Sequence, residues 1–257
     1  MGGVARTIPF AGRELKRIGL GTNRLTDTPA NRAFLEEAVA AGVQLIDTAH
    51  LYSSGESERT IGGALSPFGD ELVVGTKAGY HGGGIDRLRA EIDESFERLR
   101  TDVIDLYYLH RLDPEVALPR TLSVLAEYHE AGRIRNVGLS EVAVEDILLG
   151  RSVVPIAAIQ NEYSLDQRKH DEVVDFCGDE GILFVPFFPL RGGGRALDEI
   201  ASRLGATRQQ VKLAWLLRRS EAMLPIPGTL SIEHLRSNLG ALELELSDDD
   251  YSALAGG

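Results

Sequence analysis

The chain has 257 residues, of which one is cysteine, one tryptophan and two methionine, and aromatic residues make up 6% of it. A single cysteine, Cys177, cannot close an intrachain disulfide. Its neighbours in "DFCGDE" offer no metal-ligand spacing, so a disulfide scaffold and a cysteine-held metal are excluded and a reducing compartment is expected. Cys177 itself reads as a half-buried thiol on a helix. Positive charge is scarce as well: 27 Lys and Arg stand against 39 Asp and Glu, for a formal charge of -12. Without a basic cluster, that balance repels a polyanion and excludes nucleic acid as a partner. No run reaches the roughly 18 apolar residues of a membrane span, and "MGGVARTIPFAG" lacks the apolar core of a signal peptide. A soluble, cytoplasmic protein with no membrane partner is expected.

What the chain does have is apolar residue content, 43% of it, enough for a large core. Short apolar runs alternate with segments of helical period. The runs are "RIGLG" (17–21), "VQLIDTA" (43–49), "ELVVGTK" (71–77), "VIDLYYLH" (103–110), "NVGLS" (136–140), "IAAIQNEY" (156–163), "ILFVPFFP" (182–189) and "AMLPIPG" (222–228). Between them, "IDRLRAEIDESFERL" repeats Ile85, Leu88, Ile92, Phe96 and Leu99 at spacings of three and four, which places all five on one helix face. Near-continuous apolar strands separated by amphipathic helices indicate a parallel sheet covered by helices. Repeated eight times in about 250 residues, the unit predicts a single α/β domain over 1–257, a closed (β/α)8 TIM barrel. An open, doubly wound sheet is the alternative. Ahead of the first strand, "RTIPFAGRELK" alternates around a central "AG" and predicts a β-hairpin plugging the N-terminal end of the barrel.

In such a barrel the C-terminal strand ends and the loops after them meet at one mouth. Strand two would end there at Asp47, with Tyr52 one loop step beyond, strand three at Lys77, strand four at His110 and strand five at Ser140. Strand six would bring Gln160 and Asn161. Singly, each has an ordinary reading: Asp47 as a turn cap, Tyr52 as a packed ring, His110 as a satisfied interior histidine. Lys77 is harder to place so, because a lysine closing "LVVGT" is desolvated unless paired, and Asp47 on the neighbouring strand end is the nearest anion.

Together these residues suggest proton chemistry. A tyrosine has an ordinary pKa of about 10, and an adjacent ammonium lowers it by roughly 1 to 3 units. Lys77 would act so on Tyr52, with Asp47 holding the lysine and His110 offering a hydrogen bond to a substrate oxygen. A positioned proton donor without nucleophile or metal cluster suits a carbonyl that takes a hydride from elsewhere, and no side chain can supply one. A nicotinamide or flavin is therefore implied, and no metal.

Through "IGLGT", "LIDTAHLY", "GTK", "IDLYYLHR", "GRIRNVGLS", "QNEYS", "PFFPL" and "IPGTLSIEHLRSN" the chain resembles the aldo-keto reductase family along nearly its whole length. The family's catalytic tetrad falls on Asp47, Tyr52, Lys77 and His110. The resemblance implies NAD(P)H-dependent reduction of a small-molecule aldehyde or ketone, of carbonyl reductase or alcohol dehydrogenase type, with Tyr52 as general acid. It also implies an extended dinucleotide held without a G-x-G-x-x-G, which this sequence lacks. By the same resemblance, Asp47, Ser140 and Gln160 lie at the nicotinamide end, Phe187 stacks on its ring, and Gly21 and Thr22 lie under it. The loop "PLRGGGR", with Leu190 and Arg191 or Arg195, would wrap the pyrophosphate, unless it is a plain surface loop. Gly228, Thr229, Ser231, His234 and Asn238 would take the adenosine end at a helix start, where N-terminal amides favour an anion.

The chain departs from the family pattern at several positions. Glu141 stands where Asn often follows the strand-five serine, and Gly228 and His234 stand where Lys and Arg commonly grip the 2'-phosphate. NADPH (NADP+) is the expected cofactor, with Thr229, Arg236 and the helix start compensating, and NADH is the alternative. Asn23 replaces a frequent Trp and Arg111 an apolar residue, so Asn23, Tyr52, His110 and Arg111 form the expected substrate pocket. If Arg111 turns inward the substrate is polar or anionic; if it turns to solvent that reading lapses. Short loops predict an open mouth. Two other functions compete with reduction: an NADP(H)-binding regulatory subunit with little turnover, and a barrel isomerase or aldolase using Lys77 as a Schiff-base amine. A monomer is expected, with a small homo-oligomer as the alternative.

Overall fold

The protein is described from a computed structural model covering residues 4–255. A hairpin of β1 (Thr7–Phe10) and β2 (Arg13–Lys16) comes first, antiparallel, with Phe10 opposite Arg13. Ala11 and Gly12 turn it with φ of 54° and 75°, the paired positive values that a two-residue hairpin loop requires. Seven parallel strands follow in sequential order: β3 (Leu20–Gly21), β4 (Leu45–Asp47), β5 (Val73–Ala78), β6 (Ile104–Leu109), β7 (Ile134–Ser140), β8 (Ile156–Gln160) and β9 (Leu183–Phe184). Helices alternate with them: α1 (Pro29–Ala40), α2 (Glu56–Leu65), α3 (Gly84–Leu99), α4 (Leu118–Glu130), α5 (Val144–Arg151), α6 (Asp171–Glu180), α7 (Arg195–Leu204) and α8 (Arg208–Arg219). Two more, α9 (Ile232–Leu239) and α10 (Asp248–Ala255), end the described chain.

The last apolar run does the work of an eighth strand without a regular ladder. Pro225 and Pro227 have no N–H to give, so they act as acceptors, taking Gly19 N at 3.0 Å and Gly21 N at 3.4 Å. On the other side Phe184 N reaches Ala222 O and Leu224 N reaches Phe184 O, each at 2.9 Å. With bridges Gly21 to Gly228 and Phe184 to Met223, the sheet closes on itself. This excludes the open sheet.

Two apolar layers result. Inside the ring, Leu45, Val73, Leu106, Tyr108, Leu183 and Leu224 pack together, and the hairpin joins them through Phe10 and Leu15 at the N-terminal end, as a plug. Outside the ring, the helices bury their inner faces. On α3, Leu88, Ile92, Phe96 and Leu99 are buried, and Ile85 packs half-buried on the same layer. Cys177 on α6 is fully buried, more than its sequence context suggests, and burial pushes its thiol up to about 12.

Candidate active site

Parallel pairing sets the first geometry of the mouth. Asp47 ends β4 in register with Gly75, and Lys77 lies two residues further along β5, so both side chains meet at the strand ends. Lys77 Nζ donates to Asp47 Oδ2 at 2.7 Å, to Thr48 O at 2.6 Å and to the Tyr52 hydroxyl at 3.4 Å. Asp47 Oδ1 accepts from Gln160 Nε2 at 2.7 Å. Lys77 is completely buried, and its three N–H groups are all engaged. A charged ammonium tied this way is not a free amine nucleophile, which disfavours the Schiff-base reading.

After β4 the chain turns sharply to present Tyr52. A 3-10 turn, Tyr52–Gly55, carries Ser53 and Ser54 at φ of 48° and 54°, a left-handed pair that costs of order 1–3 kcal/mol per residue and persists only when held from outside. Arg98 on α3 holds it, donating to His50 O at 3.1 Å and to the carboxylate of the buried Glu58 at 3.5 Å. Gly55, at φ 83°, lies against that guanidinium, and a Cβ there would stand 2.5 Å from Nη1.

Charges follow from this packing. Burial pushes the Asp47 carboxyl above its usual range, while Lys77 and Gln160 pull it back. Burial works against the Lys77 ammonium, but Asp47 and Tyr52 outweigh it, and its pKa is raised. For Tyr52 the outcome corrects the sequence expectation: desolvation raises the phenol above its ordinary pKa, and Lys77 offsets only part of that. His110 falls to about 2, through desolvation first and then Lys77, Arg111 and His81, so its imidazole is neutral. Its ring meets Tyr52 edge-on with centroids 6.0 Å apart, and its Nδ1 is buried without a hydrogen-bond partner among the described residues.

A cavity of about 690 Å³ opens over these groups. Gly21, Thr22, Asn23, Asp47, Tyr52, His110, Arg111, Ser140, Gln160, Phe187, Leu190, Arg191 and Gly228 are among the residues that line it. Thr22 is stitched to β4, its Oγ donating to Asp47 O at 2.8 Å. Gln160 donates its amide N–H to Asp47 while lining the cavity. Arg111 turns inward: Nη1 reaches His110 O at 2.6 Å and Ser140 Oγ at 3.0 Å. Thr229, Ser231, His234 and Asn238 lie outside this cavity at the start of and along α9. Ser231 caps that helix, accepting from His234 N at 3.3 Å, and Thr229 Oγ accepts from Ser231 N at 3.1 Å. His234 is exposed and Asn238 buried.

Other polar groups are already committed. Asn161 holds both main-chain groups of Val142, so its role is to brace the loop after β7. Glu141 takes a left-handed φ of 56° and turns to Glu162 N (2.7 Å) and Lys169 (3.0 Å), away from the cavity. Arg191 is paired with Glu162, and Arg195 with Glu199 at 2.6 Å. The glycine loop thus brings paired rather than free cations.

Tyr80 and Arg24 also line the cavity and were not anticipated. Tyr80 lies in "AGYHGGG" just beyond Lys77, and its ring stands 4.9 Å from that of His110. An aromatic two residues past the end of β5, in a glycine-rich loop, is the signal the sequence offers. As a set, these residues fit a nicotinamide dinucleotide: Ser140, Gln160 and Phe187 line one cavity and offer polar partners for an amide together with a ring to stack on.

Among the described residues no helix is long and apolar enough to cross a membrane, and no His, Cys, Asp and Glu cluster could hold a metal. A family model described as "Aldo/keto reductase family" matches residues 17–196 and 194–256. Pyridoxine 4-dehydrogenase of Escherichia coli is 34% identical over 280 residues, covering 98% of each chain. An oxidoreductase of Schizosaccharomyces pombe is 35% identical over 273 residues, 97% of this chain and 89% of that one. Among solved structures, a thermostable aldo-keto reductase in complex with the inhibitor epalrestat superposes with a TM-score of 0.88 at 32% identity, covering 95% of this chain and 96% of that one. An aldo/keto reductase from Klebsiella pneumoniae, in complex with NADP and acetate, gives 0.86 at 28%, covering 98% and 94%.

Proposed function

The chain belongs to the aldo-keto reductase family, and on that footing we propose that it reduces an aldehyde or ketone to the alcohol with NADPH, Tyr52 serving as general acid. The observation that carries this reading is the buried Lys77 joining Asp47 to Tyr52 beneath an open cavity that Asp47 and Tyr52 line, with a neutral His110 beside the phenol. The nicotinamide, when bound, supplies the hydride to the carbonyl carbon. Tyr52 gives its phenolic proton to the carbonyl oxygen, and the Lys77 ammonium stabilises the phenolate left behind. His110, carrying one N–H and no charge, donates a hydrogen bond to the same oxygen and orients it. Asp47 keeps Lys77 protonated in a place where burial would otherwise strip the charge.

Ser140 and Gln160 would hold the carboxamide and Phe187 the ring; with Glu141 turned away, that clamp is two-membered. Gly21 and Thr22 support it from below. Leu190 and Arg191 would flank the pyrophosphate, and Gly228, Thr229, Ser231, His234 and Asn238 the adenosine. The K. pneumoniae relatives bind NADP and NADPH, which supports the phosphorylated cofactor. Because His234 and Gly228 are weak partners for a 2'-phosphate, the grip would fall to the α9 amides, Thr229 and Arg236. We also read residues 1–257 as one catalytic barrel working as a monomer.

The test is a fluorescence titration with NADPH and with NADH, followed by a panel of aldehydes and ketones. Pyridoxine with NADP+ is included for the reverse direction, given the E. coli relative's name. Saturable binding followed by nicotinamide oxidation is expected. Tight binding with negligible turnover across the panel would favour a cofactor-holding regulatory role instead.

A further inference from the structure

We propose that Arg111 is the receptor for an acidic group on the substrate, so that the site selects carbonyl compounds that also bear a carboxylate. The inference rests on the reductase reading of the same cavity and adds its substrate class.

Among the described residues three cations line the cavity, and they differ in what answers their charge. Arg191 is paired with Glu162. Arg24 is exposed at the rim. Arg111 is half-buried, and in a chain with twelve more acids than bases it has no carboxylate within 4.0 Å among the described residues. A cation drawn into a cavity and left without a counter-charge is a site for an anion from outside.

Its posture is fixed by contacts that leave it free to bind. The guanidinium carbon sits 5.3 Å from the Tyr80 ring centroid and 5.8 Å from that of Phe187, within cation–π reach of both rings. Nη1 alone makes the protein hydrogen bonds, to His110 O and Ser140 Oγ. Nε and Nη2 make none among the described residues. Those two N–H groups form one edge of the planar fork, and a carboxylate can accept from both at once. Because Tyr80 and the Nη1 bond to His110 O hold the side chain independently of the residues given to the nicotinamide, little rotamer freedom is lost on binding.

The reacting end is close by. Tyr52 and His110 are ring neighbours at 6.0 Å, His110 and Tyr80 at 4.9 Å, and Arg111 lies over Tyr80. A substrate with its carbonyl at Tyr52 and His110 would extend its other end toward the guanidinium, so carbonyl and acid occupy opposite ends of one molecule.

The experiment compares 4-carboxybenzaldehyde with its neutral near-isostere 4-formylbenzamide, using NADPH and the full chain. Wild type should favour the acid in kcat/KM by roughly 10- to 100-fold, the range for a hydrogen bond to a charged group. Arg111→Met should bring that ratio close to one, through KM of the acid, and Arg111→Lys should restore part of it. Raising salt should erode the preference in wild type and leave the Met variant flat. A ratio unchanged in Arg111→Met, or one that disappears instead in Arg24→Ala, overturns the proposal. If wild type turns over neither aldehyde, calorimetric titration of 4-carboxybenzaldehyde into wild type and Arg111→Met with NADP+ present decides Arg111 by itself, equal affinity overturning it, while the reductase reading falls only if the wider panel of aldehydes and ketones fails as well.

Discussion

Lys77 Nζ lies 2.7 Å from Asp47 Oδ2, and neither side chain is more than 4% exposed. Such a pair is weak support for stability as a whole, but removing one member strands the other as a buried charge. Asp47→Asn should therefore cost about 3–5 kcal/mol of unfolding free energy. The double change Asp47→Asn with Lys77→Met should cost less than the sum of the single ones. Urea unfolding of all four proteins at pH 7 measures the coupling, and strict additivity would contradict the pairing.

Removing the phenolic hydroxyl leaves the cavity's shape nearly intact. Tyr52→Phe should lower kcat for aldehyde reduction by roughly 10²- to 10⁴-fold while NADPH affinity stays near the wild-type value. Single-turnover kinetics beside a fluorescence titration separates the two quantities. Wild-type turnover in the Phe variant would remove Tyr52 from the proposed role.

The pH profile should lack a histidine limb. With His110 held neutral down to about 2 and the Tyr52 phenol pushed above 10, neither group changes charge between them. Reduction should stay level across the neutral range in kcat, and any alkaline fall should lie beyond pH 10 and disappear in Tyr52→Phe. A limb near the ordinary histidine value of about 6.5 that is lost in His110→Gln would contradict this.

Glu141 makes a separate claim about acid stability. Burial works against its carboxylate, but His170, the Glu162 N–H and Lys169 outweigh it and lower the pKa from 4.5 to about 2. A depressed acid stabilises the fold above its unfolded pKa and loses that contribution as pH falls through the folded one. Glu141→Gln should cost about 1–2 kcal/mol at pH 7, discounting for partial exposure, and nothing below pH ~2. Denaturant midpoints from pH 7 down to 2 test the window; a cost that persists at the acid end points to lost packing instead.

What could be read from residue order divides along a physical line. The strands of the parallel sheet, the hairpin plug and the inner face of α3 were legible, because apolar period reports burial. Lys77 against Asp47 was legible for the same reason: a lysine ending an apolar run has few places to put its charge. The direction of the Tyr52 shift was not, since it is a difference between desolvation and one ammonium at 3.4 Å. Neither magnitude can be taken from spacing. Gln160 reaching 113 positions back to Asp47, and Arg111 lying near both Tyr80 and Phe187, depend on which rotamers the closed ring leaves open. The run 222–228 was expected as a strand; its prolines let it accept main-chain bonds toward β3 but not return them.

That seam gives the barrel a clasp. Between β3 and the returning chain, the contact donated at Gly19 and Gly21 runs one way only, whereas the central strands exchange bonds along whole ladders. Mechanically, the ring has a preferred place to part, and it is the one beside Gly228. A chain cut and rejoined elsewhere would still need this fastening to shut. Pulling on the two ends should open the circle here before any ladder between β5, β6 and β7 gives way.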